Sequence, residues 1–230
     1  MEVVPGVHGV DFGAVWAYLY QERDRLTLID AGLAGQSEAV LDAVESLGRK
    51  PGDLRQIVVT HYHADHFGAA AALVERTGAA LLAHALDAPV VRGEVEEPLP
   101  ALSDAERPYY EQAIASTPAA PRCAVDRELQ DGDEIDLDGG AKVVHVPGHT
   151  AGSIAVYVPK RRLLFSGDAA GRTPEGQLLH GVFNVDTAQA RASFAKLAQL
   201  DIEVACFGHG PPLDKEASYT FRRLAEKLAG

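Results

Sequence analysis

The apolar and polar positions of this chain predict short strands first, then strands alternating with helices. "AVWAYLYQ" and "RLTLIDAG" are β-branched or aromatic runs, parted by the charged turn from Glu22 to Arg25. From Ser37 to Leu47 the apolar residues Ala39, Val40, Ala43, Val44 and Leu47 recur at helical spacing, and Gly48 closes the pattern. "LRQIVVT" predicts a buried strand, a helix is expected from Asp65 or Phe67 to near Gly78, and "AALLAH" predicts the next strand. After Val125 the strand rhythm returns in "EIDLD", "AKVVHVPG", "SIAVYVP" and "RLLFSGD". A helix from Thr187 to Leu200, the strand "EVACFGH" and a helix from Lys215 to Leu228 complete the pattern. Both halves end in their helices. That order predicts an α/β protein of two stacked sheets covered by helices on both outer faces.

The stretch from about 90 to 122 breaks the rhythm. It is rich in proline, carries the acidic cluster Glu94, Glu96 and Glu97, and holds one helical pattern from Ser103 to Ala115 opened by the capping-box sequence "SDAE". It reads as an insertion on the rim of a single domain spanning 1–230, either a solvated connection or a substrate lid.

Composition narrows the class of function. Hydrophobic residues make up 47% and charged residues 23% of 230 residues, an ordinary globular balance. The net charge of -12 argues against a general nucleic-acid binder, which needs a clustered basic face. No apolar run approaches the length of a membrane span, and the N-terminal "MEVVPGVHGVDFG" lacks the basic and apolar regions of a secretory leader. The two cysteines, Cys123 and Cys206, lie far apart without CxxC spacing, which fits a reducing, cytoplasmic setting. The expected partner is a small-molecule substrate, with no nucleic acid and no membrane, and a homodimer is compatible with the composition.

The chemistry concentrates in "THYHADHFG". His61 and His63 stand two apart, so in an extended segment both rings point to one side. Asp65 and His66 follow where the chain turns into a helix, and can approach from a second direction. Three later strands end alike, in "VPGHTAGS" with His149, "LFSGDAAG" with Asp168 and "CFGHGPP" with His209. Buried imidazoles and carboxylates are costly unless something pairs them, and metal ions would. Seven ligands suit two ions. His61, His63 and His149 form an N3 set, Asp65, His66 and His209 an N2O set, and Asp168 can bridge them. An open position on each ion would leave room for a shared hydroxide as nucleophile. Donors of this kind accept zinc, with manganese or iron as alternatives.

The motif "HYHADH", followed by His149, Asp168 and His209, resembles the metallo-β-lactamase superfamily pattern HxHxDH–H–D–H over nearly the whole chain. The resemblance implies an αββα four-layer sandwich of two mixed β-sheets, with the binuclear site on one edge. Asp30 in "LIDAG" matches a position that commonly supports a metal-ligating histidine. An aspartate at the bridging position is similar to the glyoxalase II-like branch, which hydrolyses thioesters, esters, lactones and phosphodiesters, rather than to β-lactamases. Gly171 stands where quorum-quenching lactonases often carry tyrosine, and only one predicted helix follows His209, where glutathione-thioester hydrolases add a helical region.

The expected activity is hydrolysis of a small ester-like bond (thioester, ester or lactone), with Asp65 orienting the nucleophile. The alternative is a mononuclear iron persulfide dioxygenase, which shares the ligand pattern. His180, Arg172 and Tyr109 are candidate substrate contacts, each with a packing or surface role as its competing reading.

Overall fold

The computed structural model describes residues 1–229. The first half builds β1 (Glu2–Val4), β2 (Val7–Asp11), β3 (Trp16–Gln21) and β4 (Leu26–Ile29), then α1 (Ser37–Ser46) and β5 (Leu54–Val58). There follow α2 (Ala64–Phe67), α3 (Ala70–Thr77), β6 (Ala80–His84), α4 (Ala88–Val91), α5 (Arg107–Ser116) and β7 (Arg127–Leu129). These strands form one seven-stranded sheet in sequence order. Pairing is antiparallel from β1 to β4 and parallel from β4 to β7. Parallel neighbours require crossovers, and the helices supply them.

The second half builds β8 (Glu134–Ile135), β9 (Ala141–His145), β10 (Ile154–Val158) and β11 (Leu163–Phe165), then the hairpin β12 (Ala170–Arg172) and β13 (Leu178–His180). It closes with α6 (Thr187–Leu197), β14 (Val204–Cys206) and α7 (Ala217–Ala229). A five-stranded sheet runs in the order β14-β11-β10-β9-β8, with only the β11–β14 pair parallel.

Side-chain alternation stacks the sheets. On β3, Trp16, Tyr18 and Tyr20 face the second sheet, where they meet Ile154, Val156 and Val158 of β10 in a buried inter-sheet core. Ala17 and Leu19 point the other way, into a core with Val40 and Val44 of α1 and Leu73 of α3. Ala155 and Leu164 likewise pack under Phe194 of α6 and Phe221 of α7. Three apolar layers therefore separate four layers of backbone, the αββα sandwich.

The expected helix boundaries need correction. The helix expected through to Gly78 is two helices, α2 and α3, parted at Gly68 and Ala69. A Cβ at Gly68 would overlap the backbone of Leu33 and Ala34, which explains the glycine where that loop presses close. The stretch from about 90 to 122, expected as an insertion on the rim, lies within the connection between the parallel strands β6 and β7. Within it the Ser103–Glu106 bonds form as the capping box predicts, but they close a turn, and the helix begins at Arg107.

Candidate metal centre

Every singled-out histidine and carboxylate of the expected set follows a strand. His61, His63, Asp65 and His66 lie just beyond β5, His149 between β9 and β10, Asp168 after β11, and His209 after β14. Parallel strands direct their carboxyl ends to one edge, and the loops there converge.

The five imidazoles share one design. Each turns one ring nitrogen outward to an acceptor. His61 Nδ1 lies 3.0 Å from Thr60 Oγ1, His66 Nδ1 3.0 Å from Asp30 Oδ2, and His149 Nδ1 3.0 Å from the Val182 carbonyl. His209 Nδ1 lies 2.8 Å from the Ala14 carbonyl, and His63 Nε2 3.3 Å from Glu97 Oε1. The second nitrogen of each ring then faces inward. His63 Nδ1 stands 3.1 Å from His61 Nε2 and 2.9 Å from His149 Nε2, and His66 Nε2 stands 3.4 Å from His209 Nε2. Inward nitrogens this close crowd one another, and a metal cation between them, displacing any ring proton, would turn that crowding into ligation.

Among the described residues three overlapping groups could hold a metal in this way: His61 with His66 and Asp168, and the two separate clusters His61 with His63 and His149, and Asp65 with His66 and His209. Asp168 spans them: Oδ1 lies 3.4 Å from His66 Nε2, and Oδ2 lies 3.2 Å from His209 Nε2 and 3.6 Å from His149 Nε2. Its Oδ1 is buried without a hydrogen-bond partner, an orphaned acceptor that a metal would satisfy. A Cβ at Gly208 would overlap that oxygen and the His66 ring, which explains the glycine before His209. The donor set thus fits divalent ions of intermediate softness.

Electrostatics divide the clusters. Burial pushes His61 well down, His63 down to about 3, and His149 down, so all three are neutral ligands near neutral pH. Burial also opposes charge on His66 and His209, yet Asp168 and Asp65 outweigh it, raising His66 strongly and His209 to about 10. For Asp65 and Asp168 burial favours the neutral acid, but the neighbouring imidazoles hold both carboxyls well below the usual carboxylate range. The carboxylate side of the site therefore attracts positive charge.

Outer contacts fix the geometry. Asp30, in the left-handed region at φ 58°, accepts from the Thr60 amide (2.8 Å), from Thr60 Oγ1 (2.9 Å) and from His66. Through Thr60 it also orients His61, so one carboxylate holds a ring of each cluster. Two further carboxylates escaped the sequence reading. Asp87, buried after β6, accepts from the Tyr62 amide (3.2 Å), Thr150 Oγ1 (2.6 Å) and the Gly152 amide (2.6 Å). It ties the loop of His61 and His63 to the loop of His149. Glu97, on the β6–β7 crossover, meets His63. Glu97→Gln removes the charge behind His63 and is expected to weaken metal binding about 10- to 100-fold in a chelator competition, with no change in fold.

Residues 10–209 match the metallo-beta-lactamase superfamily. The chain belongs to that superfamily. It is 30% identical to a probable metallo-hydrolase, YflN, of Bacillus subtilis, over 99% of this chain and 93% of that protein. It is 32% identical to a hydroxyacylglutathione hydrolase of Pseudomonas aeruginosa over 81% of this chain, and spans 57% of the length of that relative. Among solved structures, BJP-1, a subclass B3 metallo-beta-lactamase of Bradyrhizobium japonicum, shares the fold at 23% identity and a TM-score of 0.73, covering 100% of this chain and 90% of that one. A metallo-beta-lactamase family protein from Thermus thermophilus does so at 21% identity and a TM-score of 0.71, covering 99% and 81%. The protein is thus a metallo-hydrolase of the superfamily. Among the described residues no helix is long and apolar enough to cross a membrane.

In this metallo-hydrolase the candidate centre forms the floor of a cleft of about 490 Å³, lined among others by Asp65, Asp168 and His149. The three candidate substrate contacts do not line it. Arg172 donates to the carbonyls of Gly176, Pro211 and Pro212, bracing the loop after His209, so its guanidinium is not free for a substrate carboxylate. Arg172→Ala is expected to lower stability by about 2 kcal/mol in urea unfolding. His180 ends β13 rather than lying in a loop, and its ring packs edge-on against Phe194. Tyr109 is exposed on α5, and its neighbour Tyr110 lines the cleft instead.

Proposed function

We propose that this protein hydrolyses a small ester-like bond (a thioester, ester or lactone) with two divalent ions at the centre. The observation that supports this best is the pairwise convergence of five anchored imidazoles around Asp168, open to a cleft. His61, His63 and His149 would hold one ion, Asp65, His66 and His209 the other, and Asp168 would touch both. When bound, such ions polarise a carbonyl and lower the pKa of water, with zinc, manganese or iron suited to these donors.

This chain's own groups then do the following. Asp65, ionised and 3.3 Å from His209 Nε2, faces the cleft, where its carboxylate can orient the attacking water and take its proton. Attack forms the new carbon–oxygen bond, the bond to the leaving sulfur or oxygen breaks, and Asp65 returns the proton to that leaving atom. The hydroxyacylglutathione hydrolases among the relatives supply a precedent for the thioester class.

Elemental analysis of protein purified without added metal, followed by a thioester, ester and lactone panel, tests this reading. About two ions per chain with hydrolysis of at least one class is the expected result. A single iron, with oxygen uptake on a persulfide and no hydrolysis, would replace it with the dioxygenase alternative.

A further inference from the structure

The walls of the cleft differ from its floor. One wall is α5, whose residues Tyr110, Ala113 and Ile114 stand at helical spacing and line the cleft together with Thr117 just past its end. A helix of a globular protein normally turns its apolar stripe to the core, yet no residue of α5 is buried and Ile114 is 52% exposed. Val182 and Phe183 also line the cleft. Phe183 adopts φ 55°, a left-handed conformation that a bulky residue rarely takes, and its ring meets Tyr110 edge-on at 5.4 Å. A strained backbone position thus accompanies an aromatic pair that lines the cleft.

Charge sharpens the reading. The charged side chains lining the cleft, imidazoles apart, are Asp65, Glu97 and Asp168, and no lysine or arginine is among the lining residues described. A carboxylate or phosphate on the acyl part of a substrate would meet no counter-charge beyond the metal floor.

Resting on the ester-hydrolase reading, we infer that the cleft selects neutral acyl groups carrying an extended apolar chain, laid along the α5 stripe and capped by Tyr110 and Phe183. The carbonyl sits at the floor and the chain runs toward Ile114 and Leu99, both of which line the cleft. Each methylene that leaves water for this wall contributes about a fourfold gain in binding.

The test uses the metal-loaded protein and p-nitrophenyl esters from acetyl to octanoyl, with the hemisuccinyl ester as the charged member. kcat/KM is expected to rise severalfold per methylene beyond butanoyl, and to be at least tenfold lower for hemisuccinyl than for butanoyl. Ile114→Lys is expected to reduce the octanoyl-to-acetyl ratio at least tenfold. Calorimetry with acetamide, octanamide and the charged suberamate gives a readout free of turnover, with octanamide expected to bind most tightly. Chain-length-dependent binding without hydrolysis of any ester would sink the hydrolase reading and leave the cleft assignment standing. Equal binding and turnover across chain lengths would overturn the assignment. So would an Ile114→Lys protein with an unchanged ratio and an altered oligomeric state, because the stripe would then be an interface between copies.

Discussion

Asp168→Ala protein is expected to purify folded, to hold fewer than two ions per chain and to turn over at least about 10³-fold more slowly. Asp168 reaches both clusters, with Oδ1 toward His66 and Oδ2 toward His209 and His149. Truncation deletes the contact common to both sets and leaves each short of a negative donor. The fold should survive, because Asp168 lies outside the three apolar cores and its Oδ1 makes no hydrogen bond within the protein. Elemental analysis and circular dichroism on the same sample separate loss of metal from loss of structure. Full activity with two ions retained would remove Asp168 from the centre.

The site's inner residues were legible because each sits at a strand end with a local signal. "HYHADH" packs four donors into six positions, and His149, Asp168 and His209 each follow an apolar run beside glycine. Two stacked sheets were legible in the order of strand and helix patterns, while the four-layer sandwich followed from the motif's resemblance; β3 and β10 are buried along nearly their whole length, so their two faces cannot be told apart by polarity. Nothing local marks Asp87. In "ALDAPVV" it reads as the residue before a short helix, and its role exists only because β6 delivers it between two loops distant in sequence. Glu97 was visible only as part of an acidic run, since its partner His63 is reached by the path of a long crossover. The α5 stripe follows helical spacing, but spacing cannot distinguish a core face from a substrate wall. The turn "TPEG" could have announced the β12–β13 hairpin, and with it the strand position of His180.

Asp87→Ala should show how much of the centre depends on that hidden carboxylate. Its removal orphans the buried amides of Tyr62 and Gly152 and frees Thr150, so a loss of about 3 kcal/mol is expected at pH 7. A Cβ at Gly152 would collide with Asp87, so the pocket is shaped around the carboxylate and cannot refill easily. The pH dependence has an unusual sign. Burial raises the carboxyl to about 6 from 3.8, against the pull of its three donors. Between those values the folded state binds the proton that the unfolded chain releases, so Asp87 adds stability as pH falls from about 6 toward 4 and loses it as pH rises through 6. The gap between wild type and Asp87→Ala should therefore widen by up to about 3 kcal/mol on acidification, in urea unfolding of chelator-treated protein. Because Asp87 grips the Tyr62 and Thr150 loops rather than the Asp65 side, the variant should lose the ion of His61, His63 and His149 first and keep about one per chain. A pH-independent gap would show that the carboxyl titrates normally, and loss of both ions together would show that the two clusters stand or fall as one unit.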